Sequence, residues 1–185
     1  MELQKVIRTR KSVRKFKDIK PDWRDIIESI DSARFSPVAG NNYTLKFIVI
    51  SDREKIEKLS VICQQDFIKQ AHYVVVACSK PERLINEFGP AGKIYARQQA
   101  GAAIQNFLLS LTEKGLSACW IGFFVERQIK RLLKIPEGVD VEAVFPIGYE
   151  YQKSLTKKAK IEIESILFFD EYDNKKMNKS HKLSA

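Results

Sequence analysis

The stretch Arg-Thr-Arg-Lys-Ser-Val-Arg-Lys-Phe, residues 8–16, is where the sequence begins to indicate both a fold and a site. Four cations and a serine lie within seven consecutive positions of this stretch. Arg10, Lys11 and Ser12 offer a guanidinium fork, an ammonium and an O–H donor side by side. A phosphate monoester accepts several such charge-assisted hydrogen bonds at once. The stretch therefore predicts a phosphate site, with a basic surface turn as the alternative.

The helical and β patterns are interleaved along the chain, without internal repeats or linkers. Apolar periodicity and capping residues predict five helices, over Glu2–Thr9, Asp22–Phe35, Arg53–Ile62, Tyr95–Lys114 and Glu126–Leu133. β-branched and aromatic runs predict five strands, over Leu45–Ser51, Tyr73–Cys78, Ser117–Phe124, Val141–Tyr149 and Ile163–Phe169. This order predicts an α+β fold. The longest helix carries so many apolar residues that it predicts almost complete burial and a homodimer.

Three later motifs follow the basic stretch in a fixed order. They are Ser36-Pro-Val-Ala-Gly-Asn41, Gly101-Ala-Ala-Ile-Gln-Asn106 and Gly115-Leu-Ser-Ala-Cys-Trp-Ile-Gly122. Together with the basic stretch, they resemble the nitroreductase family of FMN-dependent oxidoreductases, from about Val6 to Tyr172. The resemblance implies a mixed sheet flanked by helices and an intertwined homodimer with two FMN sites at its interface. We expect one nitroreductase-like FMN-binding domain over residues 1–174 and a basic, flexible tail over 175–185.

The bulk composition excludes several other classes of protein. With 185 residues, 44% hydrophobic and 30% charged, the chain is typical of a soluble globular protein. No apolar run approaches the roughly 20 residues of a membrane span, and no apolar signal segment begins the chain. Cys63, Cys78 and Cys119 predict buried thiols in a reducing cytoplasm, and His72 and His181 are too few for a histidine metal site.

The net charge of +9 raises the question of a nucleic-acid partner. The cations are spread along the chain, with clusters at Lys153–Lys160 and Lys175–Lys182. No interleaving of aromatic and basic residues, no zinc spacing and no recognition-helix pattern accompanies them. We therefore interpret most of the charge as a solvated basic surface and expect neither a nucleic-acid nor a membrane partner.

The resemblance assigns FMN contacts to the basic residues at both ends of the chain. The segment Arg10-Lys11-Ser12 matches the residues that hold the phosphate and the ribityl chain. Arg14 matches a residue at the pyrimidine edge, where a cation suits the negative charge that reduction brings to the flavin. Lys158 and Lys160 resemble a late Lys-x-Arg phosphate clamp, in which Lys160 replaces the arginine and its fork.

A loop after the second helix matches the segment that reaches the flavin from the partner subunit. Its matching residues are Pro37, Val38, Ala39 and Asn41. Asn42 remains an alternative to Asn41, although the spacing from Pro37 favours Asn41. The family often carries Gln-Pro-Trp at the positions of Tyr43-Thr-Leu45 in this chain. Because of that difference, the resemblance does not predict the shape of the substrate pocket.

Trp120, Ile121 and Gly122 match the strand end that approaches the flavin ring. A glycine lets the backbone lie close to a planar ring, and its N–H is suited to hydrogen bond with flavin N5. The alternative is a glycine at a strand bulge beside a core tryptophan.

The chain shows no acid–base dyad, no nucleophile–histidine pair and no metal set, which suits an enzyme whose flavin supplies the chemistry. The resemblance implies an oxidoreductase that takes a hydride from NAD(P)H and reduces a small acceptor, such as a nitroaromatic, quinone or enone, by a ping-pong mechanism. Related enzymes dehalogenate substrates or cleave the flavin, so these reactions remain alternatives. A flavin-binding or nucleic-acid-binding module without turnover is a third.

Overall fold

A computed structural model describes residues 2–152 and 161–177 of the chain. It consists of two compact units, Met1–Lys153 and Ser154–Ala185. In the first unit, six α-helices are α1 Leu3–Thr9, α2 Trp23–Ala33, α3 Arg53–Ile62, α4 Glu82–Phe88, α5 Ala91–Glu113 and α6 Glu126–Leu133. Its four strands are β1 Leu45–Ile50, β2 Tyr73–Ser79, β3 Ser117–Ala118 and β4 Asp140–Gly148. Short 3-10 helices cover Ala39–Asn41, Asp66–Gln70 and, in the second unit, Ile163–Ser165.

Two predicted helix starts are fixed by aspartate caps. The Asp22 side chain accepts a hydrogen bond from the Arg24 N–H at 2.9 Å, and α2 begins at the next residue. The Asp52 side chain accepts one from the Lys55 N–H at 3.2 Å, and α3 follows it. An aspartate oxygen satisfies one of the N–H groups that the first turn leaves without a partner.

The four strands form one sheet in the order β1-β2-β4-β3, and each neighbouring pair is antiparallel. A single parallel bridge joins Ser12 to Ala118 of β3, so the parallel part of the sheet comes from the basic stretch. Every residue of β2 is buried. This burial agrees with the continuous apolar run of residues 73–78, which is typical of a strand covered on both faces, although the neighbours of β2 run antiparallel to it.

Helices cover both faces of the sheet. On one face, Phe107 of α5 is fully buried between Phe47 of β1 and Phe145 of β4, with ring centroids 5.9 and 5.6 Å away. On the other face, Ile56 of α3 and Ile129 of α6 belong to a separate buried cluster. The α+β prediction is confirmed, because the sheet lies as the middle layer between two groups of helices.

Some expectations from the sequence were wrong. The predicted strand over Ser117–Phe124 is a two-residue strand, after which only Ile121 bridges back to β4, at Val144. The predicted strand over Ile163–Phe169 is a 3-10 turn over Ile163–Ser165 with exposed apolar residues. A β-favouring composition becomes a strand only where a neighbouring strand supplies its hydrogen bonds.

Helix α4 was not predicted, and α5 differs from its prediction. Pro81 followed by Glu82, with Leu84 and Phe88 four residues apart, is the signal that could have revealed α4. Helix α5 begins four residues before Tyr95 and is not almost wholly buried in the single chain, since Ile94 is 58% exposed. Helix α5 therefore has more apolar surface than the rest of a single chain covers.

All three cysteines are free and buried, as predicted. Burial raises the pKa of the Cys63 and Cys78 thiols to about 12, so both stay protonated at neutral pH. Among the residues that the structure describes, no helix is long and apolar enough to cross a membrane. Among the same residues, no three or more His, Cys, Asp or Glu side chains are grouped so that they could hold a metal ion.

Glu142 of β4 makes stability depend on pH. Burial raises the pKa of this carboxyl, Asp140 and Glu126 raise it further, and the Ser79 hydroxyl and Arg97 lower it in part. A carboxyl with a raised folded pKa contributes stability below its unfolded value, near 4.5, and loses it as the pH rises through the folded value. We expect Glu142→Gln to have a higher Tm than wild type at pH 8.

The Tm difference between Glu142→Gln and wild type should close as the pH falls below 4.5, because the wild-type carboxyl is then protonated in both the folded and the unfolded state. Scanning calorimetry across this range measures it. Glu137→Gln is the control, since Glu137 is exposed and its backbone carbonyl, not its carboxylate, accepts the Lys130 ammonium. A pH-independent difference for Glu142→Gln would refute the prediction.

Candidate functional site

The basic stretch is held in place by backbone hydrogen bonds to the sheet. The Val13 N–H donates to the Ala118 carbonyl at 3.1 Å, and the Lys17 N–H donates to the Tyr149 carbonyl at 2.8 Å. The Phe16 N–H donates to the side-chain oxygen of Gln70 at 3.1 Å. Val13 and Phe16 are each 5% exposed, so their burial fixes the stretch on the core.

This anchoring leaves the polar side chains of the stretch outside the core. Ser12 and Arg14 are exposed on either side of the buried Val13, and Arg10 is half-buried where α1 ends. Neighbouring residues of extended backbone point to opposite sides, so Ser12 and Arg14 share one side. No ion pair involves Arg10 or Arg14 within residues 2–152 and 161–177. Two positive charges and a hydroxyl are thus available to an anion.

Lys11 differs from its neighbours, because its ammonium lies 2.7 Å from the Glu150 carboxylate. Both side chains are largely covered, with exposed fractions of 28% and 16%. The pair secures the stretch against the chain that follows β4. Contact between Lys11 and an FMN phosphate remains a prediction, and such a contact has to compete with Glu150.

Cys119 connects the basic stretch to the loop that follows β3. Burial raises the pKa of its thiol, while the charge of Arg14 and a hydrogen bond with Ser12 lower it in part. The bridge between Ser12 and Ala118, together with the Val13–Ala118 hydrogen bond, places the basic stretch beside Cys119 and close in sequence to the predicted flavin-contact residues Ile121 and Gly122. The fold therefore brings residues 12–14 and 119–122 together, although more than 100 positions separate them.

Ile121 anchors the strand end, and the adjacent Gly122 has the exposure that a ring-binding backbone needs. Ile121 is 6% exposed and exchanges two backbone hydrogen bonds of 3.0 Å with Val144. Gly122 is exposed, and a Cβ added there would meet only the Trp120 indole nitrogen, at 4.0 Å. The backbone at Gly122 is consequently fixed on one side by β4 and open on the other.

The loop with Pro37, Val38, Ala39 and Asn41 has an unusual backbone. Gly40 and Asn41 both adopt left-handed conformations, with φ of 52° and 54°. The Asn42 amide donates to the Glu87 carboxylate of α4 at 2.8 Å and to the Gly40 carbonyl at 3.1 Å. Asn41 is exposed and has no side-chain partner among the described residues, so it fits the predicted flavin contact better than Asn42 does.

The same loop contains a polar atom without a partner. The Ser36 hydroxyl oxygen is buried and has no hydrogen bond within the described part of the chain. No hydrogen bond or ion pair in that part joins residues 36–41 to Arg10, Ser12, Arg14 or Gly122. The crossing of this loop to the flavin of a partner subunit stays a prediction. The predicted clamp residues Lys158 and Lys160 lie outside the described residues.

Sequence reasoning missed three residues that shape the site: Gln70, Glu87 and Glu150. Glu87 was missed because α4 was missed, whereas Gln70 and Glu150 lie far along the chain from the stretch that they hold. In the sequence, such contacts are indicated only by polar side chains at the ends of helices and strands. This pattern does not show which distant residue each side chain contacts.

The donor set fits the cofactor that the sequence predicted. A guanidinium and a hydroxyl at Arg10 and Ser12 match the acceptor oxygens of a phosphate, and Arg14 adds a charge that no described carboxylate neutralises. The open backbone at Gly122 leaves room for a flat ring. Glu150 is the one carboxylate that the described residues place beside this donor set, and its pairing with Lys11 offsets its charge.

Comparison with known proteins adds independent evidence. The sequence profile described as the Nitroreductase family matches residues 7–67 and 62–149. A relative from Archaeoglobus fulgidus is 29% identical over 153 residues, which cover 80% of this chain and 85% of the relative. Its name includes the words NADH dehydrogenase/NAD(P)H nitroreductase.

Two solved structures share the fold. A nitroreductase family protein from Clostridium novyi NT has a TM-score of 0.73 and 28% identity, covering 94% of this chain and 96% of its own. The NADPH:FMN oxidoreductase from Vibrio harveyi, solved with NAD+, has a TM-score of 0.82 and 19% identity, covering 95% of this chain and 79% of its own. The matched profile spans well over half of the chain, so this protein is a member of the nitroreductase family.

Proposed function

We propose that this protein is an FMN-dependent oxidoreductase that takes a hydride from NAD(P)H and reduces a small acceptor, such as a nitroaromatic, quinone or enone, by a ping-pong mechanism. The observation that carries the proposal is the pair of guanidinium groups of Arg10 and Arg14 around Ser12, without a carboxylate partner among residues 2–152 and 161–177. Membership of the nitroreductase family supports it, and so do the NAD(P)H and FMN in the names of its relatives.

The proposal gives each residue of the basic stretch a task. Arg10 and Ser12 bind the FMN phosphate through charge-assisted hydrogen bonds, and Lys11 holds the stretch in place through Glu150. Arg14 supplies a positive charge at the pyrimidine edge of the ring. Lys158 and Lys160 remain predicted to support the phosphate.

FMN, when bound, supplies hydride transfer at N5 of its ring. The backbone of Ile121 and Gly122 would lie against that ring, because Ile121 is fixed to Val144 and Gly122 carries no side chain. The Gly122 N–H is the group that we expect to hydrogen bond with the ring. Pro37, Val38, Ala39 and Asn41 of the partner subunit would cover it from the other side.

The absorption spectrum of the purified protein tests the proposal directly. We expect a yellow protein with about one FMN per protomer that oxidises NADH or NADPH when an acceptor is present. A mobility-shift assay with random DNA at physiological salt tests the nucleic-acid alternative, and no shift is expected. A colourless protein that takes up no FMN in a fluorescence titration would refute the proposal.

We expect Arg14→Gln to lower the two-electron midpoint potential of bound FMN by roughly 30 mV, equivalent to about 1.4 kcal/mol. Glutamine keeps hydrogen-bonding capacity but removes the charge that favours the reduced cofactor, and an effective dielectric near 20 limits the effect. Spectroelectrochemistry measures the potential. Lys17→Gln is the matched control, since Lys17 is an exposed cation of the same stretch.

The Arg14→Gln measurement distinguishes two positions of the Arg14 side chain, one at the flavin ring and one at the phosphate. If the potential is unchanged while oxidised FMN binds much more weakly, Arg14 contacts the phosphate rather than the ring. The control should leave both the potential and the affinity at their wild-type values.

We also propose that the protein is a cytoplasmic homodimer. Leu3, Phe35 and Ile94 are 64%, 73% and 58% exposed, which is unusual for large apolar side chains. The first two line a groove of about 400 Å³ that Leu109 of α5 also lines. A second copy that covers this groove would bury Leu3 and Phe35, and it would bring its own loop to the flavin.

Light scattering of the purified protein tests the dimer. We expect about twice the 21.3 kDa mass of one chain at micromolar concentration. Phe35→Asp should shift the population toward monomer and weaken FMN binding together, because both depend on the partner subunit. Monomeric wild-type protein with FMN still bound would show that one chain is sufficient to form the site.

A further inference from the structure

A pocket lined by polar and charged residues lies close to the loop that carries Asn41. It has a volume of about 350 Å³, and it is formed where the loop enters β1 and where β2 leads into α4. The Lys80 N–H donates to the Thr44 carbonyl at 2.9 Å, so the two segments are joined beside the pocket. Asn42 and Tyr43 also line it, and Asn42 directly follows Asn41.

The pocket carries a net positive charge. Lys46, Lys80 and Arg83 line it together with one carboxylate, Glu82. Glu82 is already paired with Lys80, whose ammonium lies 3.1 Å away. Lys46 and Arg83 have no ion-pair partner in the described ranges of the chain. Two uncompensated cations therefore face one small cavity.

A buried hydroxyl adds a hydrogen-bond donor to these cations. Thr44 is 4% exposed, and its hydroxyl oxygen accepts a hydrogen bond of 2.7 Å from the Gln99 amide of α5. Within the described part of the chain, the Thr44 hydroxyl donates no hydrogen bond of its own. Because its oxygen is already engaged, the hydroxyl has a proton to offer to an occupant of the pocket.

Tyr43 supplies a further donor. Burial raises the pKa of its phenol, and Arg34 lowers it in part. The phenol therefore keeps its proton at neutral pH. The combined set consists of two free cations, a threonine hydroxyl and a phenol, which are donors, with no uncompensated carboxylate. Oxyanions are the ligands that such a set recognises.

We propose that this pocket binds an oxyanion group, either phosphate or carboxylate, of a molecule that exchanges electrons at the flavin site. The inference rests on the proposed function for its role in the reaction, since the pocket begins one residue after Asn41. The oxyanion belongs either to the 2′-phosphate of NADPH or to an anionic acceptor.

Calorimetric titration of the FMN-loaded protein with inorganic pyrophosphate tests the pocket, since FMN already fills the phosphate site at Arg10. We expect Lys46→Ala and Arg83→Ala to weaken pyrophosphate binding about tenfold each, as the loss of a charged hydrogen bond implies. Arg83→Lys should recover part of the affinity. Arg131→Ala, an exposed cation of α6, is the control and should bind as wild type does.

Thr44→Val keeps the side-chain shape and removes the hydroxyl, so it tests the donor separately from the charges. We expect severalfold weaker pyrophosphate binding by the folded, FMN-loaded protein, together with a lower melting temperature, because the buried Gln99 amide loses its acceptor. Equal pyrophosphate affinity for Arg83→Ala, Lys46→Ala and Arg131→Ala would overturn the proposal.

Kinetics with two pairs of substrates identify the source of the oxyanion. If Arg83→Ala raises KM for NADPH but not for NADH, the group is the 2′-phosphate. If it raises KM for 4-nitrobenzoate but not for nitrobenzene, the group is the carboxylate of the acceptor. Weaker pyrophosphate binding with neither change would overturn the role in the reaction.

Failure of the proposed function would be distinguishable from failure of this inference. A protein that takes up no FMN contradicts the proposed function. The comparison of Arg83→Ala with Arg131→Ala against pyrophosphate would still decide whether the pocket binds an oxyanion, because it measures binding and not turnover.

Discussion

Replacing Gly92 with alanine is expected to destabilise the protein by about 3 kcal/mol, at the upper end of the usual cost of overpacking. A Cβ at Gly92 would lie 2.2 Å from the carbonyl carbon and oxygen of Leu84. These are backbone atoms of α4, so no side-chain rotation relieves the clash. The two helices must separate, and the fully buried Leu84 must leave its place in the core.

The direction of the effect at Gly92 is informative, because alanine normally stabilises a helix relative to glycine by up to about 1 kcal/mol. Gly101 provides the matched control within α5, since a Cβ added there meets nothing within 4 Å. We expect Gly101→Ala to be at least as stable as wild type. For Gly92→Ala, calorimetry should show a Tm lower by about 6–12 °C.

An unchanged Tm for Gly92→Ala would mean that α4 does not lie where the structure places it. The consequence would reach the site, because Glu87 of α4 holds Asn42 beside the loop with Asn41. We therefore expect Gly92→Ala to weaken FMN binding as well as stability, whereas Gly101→Ala should leave FMN binding unchanged.

The second large effect concerns the phosphate. Arg10→Ala or Ser12→Ala is expected to weaken FMN binding by about 1–3 kcal/mol, the range for a lost hydrogen bond to a charged group. This corresponds to roughly 5- to 150-fold in the dissociation constant. Fluorescence titration of the apoprotein with FMN measures it.

Two comparisons make the phosphate prediction specific. Lys17→Ala removes an exposed cation from the same stretch and should leave FMN affinity unchanged. Riboflavin lacks the phosphate, so its affinity should be similar in Arg10→Ala and in wild type. If both alanine variants bind FMN as wild type does, the phosphate lies elsewhere, and Lys158 and Lys160 are the next candidates.

Local chemistry explains which elements could be predicted. Helix α3 was predicted with its observed limits because Asp52 satisfies its first turn and its apolar residues recur at helical spacing. Strand β2 was predicted because a short continuous apolar run suits a strand that is covered on both sides. In these segments local preference and tertiary burial agree.

Tertiary structure decided the elements that depend on distant neighbours. The β-favouring residues of Ser117–Phe124 form only a two-residue strand, because β4 provides hydrogen bonds there and then at Ile121 alone. Helix α4 escaped prediction because its one fully buried side chain, Leu84, gives a weak periodic signal by itself. Its position depends on close contact with Gly92, which no local pattern reveals.

The candidate site also has features that the sequence predicts and contacts that only the folded structure reveals. The sequence by itself determined the family, the α+β class and a cluster of donors at Arg10, Ser12 and Arg14, because these follow from residue types at fixed spacing. Only the tertiary structure showed that Lys11 is paired with Glu150 and that Glu87 holds Asn42. These contacts join residues 139 and 45 positions apart, and the folded core sets such distances.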